Sequence, residues 1–175
     1  MKEKITLNET VCEAIGIALV QLMKQKPFVK ITISEIAATA GVSRNSVYRN
    51  YENKEQILEK YIQALYQNAI ESGMLKQYSE GQTVEQFLLP RFQFIKQNRD
   101  FFTVLKQNNL LYYIFEQMNP ELLLMLGGHK KGDSSYYFQM FAGAYAGVIN
   151  LWIRNDFKES EEEMVQIFAR NTYKK

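Results

Sequence analysis

Apolar residues recur three and four apart along most of the chain, the period of helices buried on one side. Val11, Ile15, Ala18, Leu19 and Leu22 set the first stripe. They predict a helix over roughly 7–26, opened by a Thr6–Glu9 capping box and closed by Pro27 and Phe28. Ile36, Ala37 and Ala40 make a second, very short stripe that stops at Gly41. Val42 plugs the corner and Ser43 caps a third helix, in which Val47 is the inward residue. Its other positions, Arg44, Asn45, Ser46, Tyr48 and Arg49, are polar or aromatic. A fourth stripe, Leu58, Tyr61, Ile62, Leu65 and Ala69, runs to about Leu75 behind an Asn53 cap completed by Gln56.

Beyond a loop at 79–82 the same period continues. Thr83 and Gln86 cap a helix over about 84–98, in which Pro90 either makes a kink or sits where a hydrogen bond is already lost. A short helix over 100–107 ends at Asn108-Asn109. Residues 110–126 are apolar and aromatic, and Pro120 divides them into two helical pieces or kinks them. Gly127 to Asp133 is a loop, and its His129 reads as a solvated loop residue. Ser134 opens a long helix to about Asn155 that is apolar nearly all round, so it must be covered on more than one side. Gly143 and Gly147 would let a second helix come close, although that spacing is a weak signal outside a membrane. Ser160 and Glu163 cap a last helix from 161 to about 173. Glu161, Glu162 and Glu163 occupy its first turn, where the helix dipole favours carboxylates.

The stretch from Thr32 to Glu55 carries the most information. Thr32 and Glu35 form a capping box, Gly41 turns the chain, and a polar, basic helix follows. Helix, glycine turn and polar helix is the helix-turn-helix pattern. This stretch resembles the DNA-binding segment of the TetR family of bacterial transcriptional regulators. The matching residues are Thr32, Ile36, Ala37, Ala40, Gly41, Val42, Ser43, Tyr48, Tyr51, Lys54 and Glu55. Tyr51 stands where Phe is commoner in the family, and Asn45 where a small residue is commoner.

The resemblance implies an all-α fold of about nine helices. A three-helix DNA-binding domain over 1–54 would precede a helical ligand-binding and dimerisation domain over 55–175. Arg44, Asn45, Ser46 and Arg49 would face DNA bases, with Asn45 touching either a base edge or a phosphate. Thr32, Ser43, Tyr48, Tyr51 and Lys54 would anchor phosphates, while Tyr51 serves equally as a core plug between the first and third helices. Lys24, Lys26 and Lys30 either solvate the surface or touch the DNA backbone. The helices near 134–155 and 161–173 would pair with a second copy in a homodimer. A small apolar or aromatic inducer would sit among Phe92, Phe101, Phe102, Tyr112, Phe115, Tyr137, Phe141, Tyr145 and Trp152, residues that packed core explains as well. The function implied is a homodimeric repressor released from a palindromic operator; the alternative is an activator or scaffold governed by a partner protein.

Composition narrows the rest. The 175 residues are 46% hydrophobic and 23% charged, ordinary for a globular protein. The net charge of +2 is uneven: residues 1–54 hold eight Lys or Arg against five Glu, a balance of +3 that coincides with the helix-turn-helix. One cysteine, Cys12, and one histidine exclude an internal disulfide and a multi-Cys metal site. No phosphate loop, nucleophile elbow or paired-histidine motif occurs, so neither an enzyme nor a cofactor is expected. No apolar run approaches a membrane span and the first residues lack a signal-peptide core, which predicts a cytoplasmic protein.

Overall fold

A computed structural model describes residues 7–76, 79, 81–114 and 134–172. The described residues form eight α-helices and one 3-10 turn, with no strand among them. In order they are α1 (Leu7–Met23), the 3-10 turn (Phe28–Lys30), α2 (Ile33–Ala40), α3 (Arg44–Asn50) and α4 (Lys54–Glu71). Then come α5 (Val84–Gln97), α6 (Arg99–Gln107), α7 (Ser134–Arg154) and α8 (Glu161–Thr172). The expectations for Thr6, Phe115, Pro120 and His129 lie outside the described residues. The chain divides into two compact units, Met1–Leu65 and Tyr66–Lys175, and α4 runs across the division.

In the first unit α1 packs on α2 and α3, and α2 on α3. Ile15, Leu19, Ile36, Val47, Ile57 and Leu58 are wholly buried. The early turns of α4 therefore belong to this core as much as the three helices before it. At Gly16 α1 comes close to a side chain of α4: a Cβ there would lie 2.7 Å from Tyr61 Cδ2.

The second unit packs α5 along α8 and α6 against α7. Its core is aromatic. Phe92 meets Trp152 edge-on at 5.6 Å and Tyr145 at 5.9 Å. Tyr145 meets Phe168 at 5.4 Å, and Trp152 meets Phe157 at 5.1 Å. The Trp152 indole N–H donates to the Glu159 carbonyl at 3.0 Å, so the buried ring keeps its polar handle satisfied. Pro90 stands inside α5, and the Gln86 carbonyl it deprives of a backbone partner accepts from Gln82 Nε2 at 3.2 Å. Arg91 is buried, with its guanidinium over the Phe87 ring and hydrogen bonds to the carbonyls of Phe87 (2.8 Å) and Lys76 (3.2 Å). Lys96 pairs with Glu161 at 2.8 Å and ties α5 to the start of α8. Ser160 and Glu163 exchange the reciprocal bonds of a capping box, which hold the Glu163 carboxyl below its ordinary pKa, chiefly through the Ser160 N–H.

Candidate nucleic-acid interface

The helix-turn-helix is built by its ends. The Thr32 hydroxyl accepts from the Glu35 N–H, and the Glu35 carboxylate accepts from the Thr32 N–H at 3.0 Å and its hydroxyl at 2.8 Å. Lys26 completes the cluster with an ion pair to Glu35. That lysine hydrogen bond, with those from Thr32, holds the Glu35 pKa at about 2. Of the lysines near α1, Lys26 is thus turned to a protein partner, while Lys24 and Lys30 are exposed. Gly41 takes φ 69°, the left-handed conformation expected after α2, and the Val42 N–H reaches back to the Ala37 carbonyl at 3.0 Å. Ser43 then caps α3, accepting from the Ser46 N–H at 3.1 Å.

With α2 and Val47 fixing its inner side, α3 turns Arg44, Asn45, Tyr48 and Arg49 to solvent. This is the donor-rich surface that the sequence assigned to DNA. Ser46 differs from the other expected base readers. Its hydroxyl lies 2.9 Å from that of Ser43 and accepts from Arg49 Nη2 at 3.3 Å, and its carbonyl accepts from Asn50 Nδ2 at 2.8 Å. It is half-buried and steadies its neighbours.

Two expected phosphate anchors are turned inward. Tyr51 is 7% exposed and its hydroxyl donates to the Cys12 carbonyl at 3.5 Å. It is the plug between α1 and α3, and burial pushes its phenol pKa up. Lys54 directs its ammonium at three carbonyls, of Phe28 (2.8 Å), Val29 (3.1 Å) and Ile31 (3.0 Å), and lies over the Phe28 ring. An ammonium has three protons, and these partners take all of them. Lys54 therefore holds the 3-10 turn to the start of α4.

Sequence reasoning missed a cleft of about 540 Å³ beside α3, lined by Asn8, Val11, Ser46, Arg49 and Asn50. Ser46, Arg49 and Asn50, three and four apart, mark one helix face; Asn8 and Val11 come from the far end of the unit's sequence.

The expected inducer residues separate. Phe92, Tyr145 and Trp152 are buried in one cluster, whereas Phe102 packs against Phe94 and Phe101. Tyr112 is 50% exposed, its ring 4.2 Å from that of Tyr113, and is no buried wall. The side chains of Phe115, Tyr137 and Phe141 lie outside the described residues. The Tyr145 hydroxyl is buried without a hydrogen-bond partner, and burial raises its pKa. No group of three or more His, Cys, Asp or Glu among the described residues could hold a metal, and no helix among them is long and apolar enough to cross a membrane.

A capped helix pair presenting a polar, basic recognition helix defines a helix-turn-helix protein. Residues 18–61 match the bacterial regulatory proteins of the tetR family, and residues 82–174 match a transcriptional regulator C-terminal region. The chain belongs to the TetR family, a family of DNA-binding transcriptional regulators. It is 26% identical over 160 residues to the helix-turn-helix regulator YxbF of Bacillus subtilis, covering 85% of this chain and 41% of that protein. It is also 26% identical over 150 residues to the nucleoid occlusion factor SlmA of Marinobacter nauticus, covering 85% and 67%. A TetR transcriptional regulator of Streptococcus agalactiae shares the fold at TM-score 0.71 and 19% identity, over 94% of both chains. The fatty acid degradation regulator FadR of Bacillus halodurans does so at TM-score 0.62 and 21% identity, over 96% and 95%.

Proposed function

We propose that this protein is a homodimeric repressor, released from a palindromic operator by a small apolar or aromatic ligand. One observation carries the dimer. Helix α7 has two opposite faces: Tyr145, Ile149, Trp152 and Ile153 are buried, while Tyr136 (76%), Met140 (73%) and Leu151 (57%) are exposed. Between the exposed residues Gly143 and Gly147 have nothing within 4 Å of a would-be Cβ. Positions 136, 140, 143, 147 and 151 form one stripe, apolar at its ends and notched in the middle, suited to a crossing helix of a second copy. Ile167 of α8 adds another exposed apolar side chain.

Two recognition helices held by such a pairing would meet half-sites about 34–36 Å apart or a multiple of that. Arg44, Asn45 and Arg49 would read bases, and Thr32, Ser43 and Tyr48 would set register on phosphates, with Ser46 supporting them. Phe92, Tyr145 and Trp152 would line the ligand site, and the ligand shifts DNA affinity only as far as it binds two conformers differently. Light scattering on the M140E/L151E double variant tests the reading. The wild type should run as a dimer that binds a palindrome, and the variant as a folded monomer that binds it poorly; a monomeric wild type refutes the dimer. Binding-site selection should show N45A altering preference at particular positions and Y48F weakening all sequences alike. A mobility shift relieved by a small molecule would support the inducer.

The second reading is an activator, or a scaffold governed by a protein partner. The close ring packing of Phe92, Tyr145, Trp152 and Phe168 favours it, because such packing suits a filled core. Among proteins of similar fold is the dihydroxyacetone kinase operon activator DhaS, at TM-score 0.61 and 17% identity.

A further inference from the structure

The cleft beside α3 is walled by α3 on one side and by the start of α1 on the other. Its lining offers the amides of Asn8 and Asn50, the Ser46 hydroxyl, the Arg49 guanidinium and the apolar Val11 side chain. Among the described residues no carboxylate lines it. Asn50 donates only one N–H to the Ser46 carbonyl, which leaves a second donor on the same nitrogen. The donors and the cation that the described residues offer suit an anion, and a volume of about 540 Å³ is far larger than one water or one small ion needs.

We propose that the cleft seats the sugar-phosphate backbone of one DNA strand. The claim rests on the reading of α3 as a recognition helix. The major groove is about 12 Å wide and a helix with its side chains about 10–12 Å across, so a helix in the groove has a phosphate strand along each flank. Thr32 and Tyr48 were assigned to phosphates from the motif. The cleft lies toward α1, and Arg49 and Ser46 belong to both the recognition helix and the cleft wall. A duplex on α3 would bring one strand to α1, with Asn8, Asn50 and Arg49 donating to phosphate oxygens and Val11 against a deoxyribose. These contacts carry no sequence information and fix orientation instead.

Asn8 gives a clean test, because it is exposed in the first turn of α1. A carboxylate there favours the helix dipole and an ammonium opposes it, so the effects on folding run opposite to those expected on DNA. Binding is measured by fluorescence anisotropy against salt, on a duplex recovered by selection with the wild type and on a random-sequence duplex. N8D should melt no lower than the wild type yet bind both duplexes about tenfold more weakly. N8K should bind both more tightly, with a salt slope steeper by about one. A methylphosphonate at the facing phosphate should abolish the N8D penalty. If N8D and N8K both bind like the wild type with its salt slope, the cleft does not hold the backbone. If the wild type itself binds neither duplex, it is the DNA-binding reading that fails.

Discussion

The two units are held together by different chemistry. In the first, polar side chains close helix ends and turns: Thr32 and Glu35 at α2, Ser43 and Ser46 at α3, Lys54 on the carbonyls of the 3-10 turn. Short helices need this, because a helix of seven or eight residues leaves most of its backbone groups without an intrahelical partner. In the second, Thr83 with Gln86 and Ser160 with Glu163 cap helices too, but the core is filled by aromatic rings meeting edge-on. The first unit thereby leaves Arg44, Asn45, Tyr48 and Arg49 of α3 on its polar surface. The second keeps apolar surface in two places, inside around Tyr145 and outside along Tyr136, Met140 and Leu151.

If ring packing sustains the second unit, the largest loss should come from W152A. That change removes contacts to Phe92 and Phe157 and frees the Glu159 carbonyl. Denaturant unfolding should show about 3–5 kcal/mol of destabilisation. Next comes G16A in the first unit. Its methyl would meet the Tyr61 ring at 2.7 Å, and overpacking costs about 1–3 kcal/mol against a helix-propensity gain of about 1 kcal/mol. The combination of G16A with Y61A should recover the overpacking part, and a double-variant cycle without coupling would show the close approach is unimportant. T32A should cost about 1 kcal/mol by removing the cap of α2. A larger loss than W152A would reverse the comparison.

The cap of α2 also has an acid limb. The Glu35 pKa is depressed from 4.5 to about 2, so its contribution is fully present above 4.5 and is lost as pH falls toward 2. K26M should raise that pKa toward 4.5, and side-chain carboxyl NMR would read the change directly. An unmoved Glu35 titration would mean that Thr32 alone holds the carboxylate. The effect on stability is small, because both partners are partly exposed.

What was legible in the sequence follows the range of the interactions. Three capping boxes, Thr32–Glu35, Thr83–Gln86 and Ser160–Glu163, join residues three apart and could be read directly. A fourth was read almost correctly: Asn53 caps α4, but Gln56 accepts from the Glu52 N–H and not from Asn53. Gly41 was legible because a left-handed turn leaves few other choices. The partners of Lys54 were not, since they lie 23–26 residues earlier and only the folded first unit brings them together. The cleft was hidden for the same reason, Asn8 being distant in sequence from α3. The apolar circumference of α7 signalled two covered sides without telling which side was which; burial of Tyr145 and Trp152 and exposure of Met140 decide it.

The smallest expected effect is the most diagnostic for the second unit. Tyr145 sits on the buried side of α7 between Phe92 and Phe168, and its hydroxyl has no hydrogen-bond partner. A buried hydroxyl without a partner carries its desolvation cost uncompensated, so removing it costs nothing in hydrogen bonding. Y145F keeps the ring and its contacts with Phe92 and Phe168. Its stability without ligand should therefore equal or slightly exceed that of the wild type, in thermal unfolding and in urea alike. A ligand that bonds this hydroxyl would reverse the order: its addition should raise the melting temperature of the wild type more than that of Y145F. A clear loss of stability in Y145F without ligand would show that an ordered water already satisfies the hydroxyl, and the interior of the second unit would then be a wet, settled core like the caps of the first.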